Sequence, residues 1–214
     1  MKNNSSIALK AAEILIDINA IKFNTENPYK LTSGKISPVY CDCRKIISFP
    51  KERKILVQFA IELLKSQSFF NEIDVLAGGE TAGIPFASFL ASELDLSMIY
   101  IRKEAKEFGR KKKIEGFLKK NQSVVLVEDL ITDGGSKVGF IESLVNESSK
   151  ILCMLVIFNY GIFRNEYSLS GYKTKLLYLT SWREILIIAK KKGILLNNDY
   201  VVVKKFLKDF GVKN

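Results

Sequence analysis

Between residues 73 and 179 the chain alternates short, unbroken apolar runs with amphipathic segments, and this alternation restricts the fold more than any other feature. Ile73 to Leu76, Ser97 to Arg102, Val124 to Val127, Ile151 to Phe158 and Lys175 to Leu179 read as strands, with helices at Gly83 to Glu93 and Gly135 to Asn146. A strand without polar alternation has no face to offer to water, so several such runs demand a parallel sheet covered by helices on both sides. The expected class is α/β.

The remaining pattern fits around that sheet. Residues 5 to 21 carry Ile7, Ala11, Ile14, Leu15 and Ile18 at helical spacing behind two serines able to cap, which predicts an amphipathic first helix. Pro28, Gly34 and Pro38 break regularity, and Val39 to Cys43 reads as a short strand. Pro50 opens a second helix as a first-turn proline, with Ile55, Leu56, Phe59, Leu63 and Leu64 on its buried face. Ser181-Trp182-Arg183-Glu184 predicts a capping box for a helix to about Lys192, and Asn198 or Asp199 starts a last one. Residues 103 to 116 are polar and charged and read as a long, mobile loop. With no internal repeat and no low-complexity linker, residues 1 to 214 are expected to form one domain.

Several function classes drop out at once. Histidine is absent, which removes every mechanism that needs an imidazole base, nucleophile activator or metal ligand. The apolar stretch from Ile151 to Phe163 falls short of the roughly 20 residues needed to cross a bilayer. Glu13 and Asp17 interrupt the N-terminal apolar pattern, so no signal peptide is expected and the cytoplasm is the expected compartment. Three cysteines make no disulfide framework; Cys41 and Cys43 are expected on opposite faces of a strand, and all three as reduced packing thiols. A net charge of +10 attracts polyanions without choosing among nucleic acid, anionic membrane and phosphorylated metabolites. One basic cluster is dense: Arg102, Lys103, Lys106, Arg110, Lys111, Lys112 and Lys113.

The segment Val124 to Ser136 carries the chemistry. Four apolar residues form a strand, Glu128 and Asp129 stand at its carboxyl end, and Thr132, Asp133, Gly134, Gly135 and Ser136 lead into a helix. In open parallel sheets ligands bind beyond the carboxyl ends of the strands. A glycine turn into a helix N-terminus presents backbone donors and partial positive charge suited to a phosphate. Two carboxylates would repel that phosphate unless they hold something else, and the vicinal hydroxyls of a sugar suit them. The ligand expected here is a sugar phosphate.

This segment resembles the phosphoribosyl diphosphate signature of type I phosphoribosyltransferases, and residues 27 to 160 are similar to the orotate phosphoribosyltransferase family. Three further motifs carry the likeness: Leu31 to Pro38 with Val39 to Arg44; Leu76 to Pro85; and Ile101 to Gly109, extending to Gly116. The resemblance implies a central, mostly parallel sheet flanked by helices, with a small N-terminal hood over mainly residues 1 to 45. It implies transfer of ribose 5-phosphate from phosphoribosyl diphosphate to orotate, giving orotidine 5'-monophosphate for pyrimidine synthesis. The donor site it implies comprises Gly79, Glu80, Thr81, Arg102, Lys103, Lys106 and the run Glu128, Asp129, Leu130, Ile131, Thr132, Asp133, Gly134, Gly135 and Ser136. Lys106 and Lys103 take the catalytic role, on a loop of about residues 103 to 116 that closes over a neighbouring subunit's site. Orotate falls to Lys35, Tyr40, Arg44 and Thr132, with Arg44 the candidate for its carboxylate. Mg2+ is implied as cofactor, held mainly by substrate oxygens and water with no direct protein ligand. A homodimer is implied, with neither nucleic acid nor membrane as partner. Threonine at 132, where purine-using relatives carry aspartate, favours orotate. The chain departs from the family pattern at Phe108, where histidine is usual, at Cys43 and Thr32, and at Asn159-Tyr160, so no orotate role passes to Tyr160. Two other readings stay open at this point: a phosphoribosyltransferase for another base, and a nucleic-acid-binding regulator that has kept the fold.

Overall fold

The structure, a computed structural model, describes residues 2–31, 34–104, 113–132, 134–162, 166–169 and 172–212. Along the chain run α1 (Lys2–Asp17), β1 (Ile21–Phe23), β2 (Tyr29–Lys30), β3 (Ile36–Ser37), β4 (Val39–Cys41), α2 (Pro50–Lys65), β5 (Val75–Gly79), α3 (Gly83–Leu94), β6 (Ser97–Ile101) and β7 (Ile114–Glu115). They are followed by β8 (Ser123–Ile131), α4 (Gly135–Asn146), β9 (Lys150–Asn159), β10 (Glu166–Leu169), β11 (Tyr172–Ser181), α5 (Trp182–Lys191) and α6 (Asn197–Asp209). Short 3-10 turns cover Cys43–Ser48 and Phe70–Glu72.

The unbroken apolar runs meet in one sheet, ordered β10-β11-β9-β8-β5-β6-β7. The five inner strands are mutually parallel, while β10 and β7 close the two edges antiparallel. Burial on both faces is the reason these strands show no alternation: every residue of β5 and all of β8 except Leu130 are buried. One face packs against Leu15, Leu56, Leu64, Phe86, Leu90 and Ile185, which come from α1, α2, α3 and α5. The other meets Phe140, Ile141 and Leu144 of α4. Each fully buried aliphatic or aromatic side chain of this kind contributes about 1.5–3 kcal/mol. Trp182, completely buried, makes edge-on contacts with Phe158 and Tyr160 at centroid distances of 5.1 and 5.5 Å.

The N-terminal region divides in two. Helix α1 packs on α5 and β11 and belongs to the helical layer, tied there by Lys192, whose Nζ lies 3.1 Å from Glu13 and 2.5 Å from Asp17. The pairs β1–β4 and β2–β3 form the small hood.

Several expectations need correction. Helix α1 starts at Lys2, so Ser5 and Ser6 lie within it rather than capping it. Ile55 is exposed, and Val57, Ala60 and Ile61 take its place on the buried face, because the stripe of α2 is centred on Leu56, Ala60 and Leu64. Strand β7 claims Ile114 and Glu115 from the expected loop, pairing Ile101 with Ile114. Cys41 and Cys43 do not diverge: the chain leaves β4 into a 3-10 turn, both side chains point the same way, and their sulfurs lie 3.5 Å apart. All three cysteines are buried and free. At Ser181 the local prediction holds in altered form. Its hydroxyl donates to Glu184 at 2.6 Å and accepts from the Arg183 amide at 3.3 Å.

Candidate active site

Strand β8 runs four residues past Val127, to Ile131, because β9 continues to pair with it: Glu128 opposes Val156, Leu130 opposes Phe158 and Ile131 opposes Asn159. Glu128 and Asp129, expected at the carboxyl end of the strand, therefore lie within it, and the strand goes on to Ile131. Successive strand residues project to opposite faces, so the two acids stand on either side of the sheet's rim.

Glu128 lies on the α4 side and is 2% exposed. One carboxylate oxygen, Oε2, accepts from the buried Nζ of Lys137. The other, Oε1, has no hydrogen-bond partner among the described residues. It rests against the backbone of β5 and α3: a Cβ built at Gly79 would stand 1.8 Å from Oε1 and 2.6 Å from the Phe140 ring, and one at Gly83 would stand 2.3 Å from the Val127 carbonyl. Gly79, placed in the donor site by resemblance, is thus the last residue of β5, and it is glycine because Glu128 fills the space a side chain would need. Burial lifts the Glu128 carboxyl to about 7, against the opposing pull of Lys137.

Asp129 faces the hood. Burial raises its pKa, and Lys137, backbone hydrogen bonds and the Arg44 guanidinium work in the other direction. Arg44, expected on a strand, sits instead in the 3-10 turn after β4, where its Nε donates to Asp42 at 2.6 Å. That bond raises the pKa of an already cationic group, so Arg44 is an anchored positive charge.

These groups line one cavity of about 580 Å³ at the carboxyl ends of β5, β6 and β8. Of the expected residues, Tyr40, Arg44, Glu80, Thr81, Lys103, Glu128, Asp129 and Leu130 line it together. Glu80 accepts from the Lys103 amide at 2.9 Å, which ties the loop after β5 to the end of β6. Beside them the chain turns into α4 through Thr132, Gly134 and Gly135; Gly134 adopts φ 72°, a left-handed conformation that suits glycine. Three expected residues stand elsewhere. Lys35 lies over the Phe210 ring at 4.9 Å, Ile131 is buried in the core, and Arg102 is half-buried with its amide on the Lys113 carbonyl at 2.8 Å. Lys106, Phe108 and Asp133 lie outside the described residues, as does the side chain of Ser136. Tyr160, denied an orotate role, packs at 5.5 Å against Phe158.

Sequence reasoning missed Lys137, Asp42 and Phe140, all of which line the cavity. A signal for Lys137 existed: it falls three, four and seven residues before Phe140, Ile141 and Leu144, on the buried face of α4.

A parallel sheet with a carboxylate pair and anchored cations around one cavity, followed along β8 by a glycine turn into α4, is the frame of an α/β protein whose ligand site lies at the strands' carboxyl ends. The phosphoribosyl transferase domain model matches residues 49–175. The chain is 42% identical to an orotate phosphoribosyltransferase of a Ruegeria species over 95% of its own length and 90% of that relative. Among solved structures it resembles orotate phosphoribosyltransferase from Aeropyrum pernix, with a TM-score of 0.71 and 25% identity, covering 86% of this chain and 98% of that one. It also resembles UMP synthase from Leishmania donovani, with a TM-score of 0.80 and 25% identity; 94% of this chain matches 42% of that longer protein. The chain belongs to the orotate phosphoribosyltransferases, within the phosphoribosyl transferase family.

Proposed function

We propose that the cavity holds phosphoribosyl diphosphate between β8 and the hood, with orotate beside it, and that the expected residues that line it act there as their positions suggest. The observation that carries this reading is the pairing of two buried acids with a glycine turn into α4 at the carboxyl end of the central strand β8. Asp129 and Glu128 accept from the ribose hydroxyls. The turn from Thr132 to Ser136, at the positive end of a twelve-residue helix, takes the 5'-phosphate. The loop from Glu80 to Ala82 and the cation Lys103 face the diphosphate, with Lys106 assigned beside them on resemblance. As the bond from C1' to the diphosphate oxygen breaks, charge gathers on the leaving group and fixed cations stabilise it. The ring nitrogen of orotate then bonds to C1' and loses its proton, and no covalent enzyme intermediate is needed. Arg44, held by Asp42, offers a planar donor pair to the orotate carboxylate.

Among the described residues no group of three or more acids or cysteines could cage a metal ion. On this reading Mg2+ is held mainly by substrate oxygens and water, where it would neutralise charge on the diphosphate. The working unit on this reading is a homodimer in the cytoplasm, a compartment that suits three buried free thiols.

The test is formation of orotidine 5'-monophosphate from orotate and phosphoribosyl diphosphate with and without Mg2+, beside uracil, adenine and hypoxanthine as competing acceptors. Turnover confined to orotate, dependent on Mg2+ and lost in Lys106→Ala, supports the reading. Turnover of a purine, or full activity in that variant, sinks it. Sedimentation of the purified protein checks the dimer.

A further inference from the structure

Lys137 occupies a place where a lysine is costly. It is 9% exposed and lies in the first turn of α4, on the face that carries Phe140, Ile141 and Leu144 into the core. Burial penalises its charge, and the positive end of the helix penalises it again. Glu128 offsets both costs: its Oε2 meets the Lys137 Nζ at the rim of the cavity that both line. The other oxygen has no partner among the described residues and is seated against Gly79 and Gly83. The carboxylate is thus gripped from two directions, by a cation on one oxygen and by two side-chain-free backbone positions on the other.

We propose that Lys137 is a positioning residue for the transfer reaction, which holds the Glu128 carboxylate in the geometry that accepts a ribose hydroxyl and touches phosphoribosyl diphosphate only through it. The inference rests on the reading of Glu128 as a sugar ligand. Its physical basis is that a buried carboxyl deprived of its cation takes up a proton and becomes partly a donor, whereas a sugar hydroxyl needs an acceptor. Among the described residues the charges acting on Glu128 are Lys137 from α4, Asp129 from its own strand and Lys103 from beyond β6, and Glu80, Asp42 and Arg44 line the same cavity. Of these Lys137 alone is shown bonded to it.

Steady-state kinetics with phosphoribosyl diphosphate varied at saturating orotate decide the matter, using wild type, Glu128→Gln, Lys137→Met and the double variant. Lys137→Met should raise KM for phosphoribosyl diphosphate roughly tenfold or more at pH 7, the scale of one hydrogen bond to a charged group. KM for orotate should stay within about twofold, and the defect should shrink as pH rises and the carboxyl ionises. Adding Lys137→Met to Glu128→Gln should change nothing further, because the lysine then has nothing to hold. A normal KM in Lys137→Met beside a raised one in Glu128→Gln overturns the inference and leaves the sugar reading standing. A normal KM in Glu128→Gln overturns both. A further large loss in the double variant means that Lys137 contacts the substrate itself, and also overturns it. If Lys137→Met fails to fold, Lys137→Gln, which keeps a donor beside Glu128 but removes the charge, takes its place with the same expected and overturning results.

Discussion

The two faces of β8 treat their acids differently. On the α4 side, Glu128 is enclosed by Lys137, Phe140 and the bare backbone of Gly79 and Gly83. On the hood side, Asp129 looks across the cavity toward Arg44, which is itself exposed and anchored to Asp42. One acid is fixed by packing within the sheet's own layers, and the other is met by a segment that arrives from the N-terminal hood. On the proposed reading the ribose meets both acids while the orotate carboxylate meets Arg44 of the hood, so the two substrates can be perturbed separately.

The largest effect should come from filling the space that Glu128 occupies. Gly79→Ala puts a methyl group 1.8 Å from the Oε1 position. Overpacking of this kind costs about 1–3 kcal/mol, a fall in Tm of roughly 2–4 °C per kcal/mol for a chain of this size, and should be accompanied by a raised KM for phosphoribosyl diphosphate. Gly139, on α4 with nothing within 4 Å of an added Cβ, is the contrast: Gly139→Ala should stabilise the protein by about 0.5–1 kcal/mol through lost backbone freedom in the unfolded chain. Equal thermal behaviour of the two variants would break the argument that Gly79 is there for close approach.

On the hood side the separation should appear in kinetics. Asp129→Asn is expected to lower kcat/KM for phosphoribosyl diphosphate by about 10–100-fold, the value of a charged hydrogen bond. Arg44→Ala should raise KM for orotate by a similar order while leaving KM for phosphoribosyl diphosphate near wild type. Matching losses for both substrates in both variants would erase the separation of sugar from base on the hood side.

A smaller effect should appear in stability against pH. The Glu128 carboxyl titrates near 7 in the folded chain against 4.5 ordinarily. The folded state therefore holds a proton that the unfolded chain has released, and stability falls as pH rises from about 4.5 through 7. The shift corresponds to about 3 kcal/mol at most, and Asp129, raised by the same cause, adds in the same direction. Chemical denaturation at pH 5, 6 and 7 should show the decline, and Glu128→Gln should flatten it. A flat wild-type profile would mean that Lys137 fully compensates burial.

The smallest effect concerns the thiols. Cys43 is pushed up by its neighbour Cys41 and by burial, and Cys153 by burial to about 12. Iodoacetamide at pH 8 should modify the native protein slowly and the unfolded protein at once, as mass spectrometry would report.

Much of the fold was legible because its signals are local. The span from Gly135 to Asn146 is bounded by a glycine turn and an apolar stripe, and the helix has those limits. Pro50 starts α2 as a first-turn proline should. The end of β8 was less legible: two adjacent acids mark the end of its apolar run, and pairing with β9 carries the strand on to Ile131. Arg44 was found as a cation, but its seat in a 3-10 turn depends on how the chain leaves β4. Lys137 lay on an apolar stripe and was passed over because lysine ordinarily faces solvent.

The order of residues by itself determined that this chain forms a helix-covered parallel sheet, and that a sugar-phosphate motif stands at the end of a central strand. Those conclusions need only periodicity, turn chemistry and side-chain type, which act over a few residues. Which acid is enclosed and which is open, why Gly79 has no side chain, and what neutralises a buried carboxylate were decided by tertiary structure alone. Each depends on segments far apart in sequence meeting within a few ångströms, where burial and charge set the chemistry.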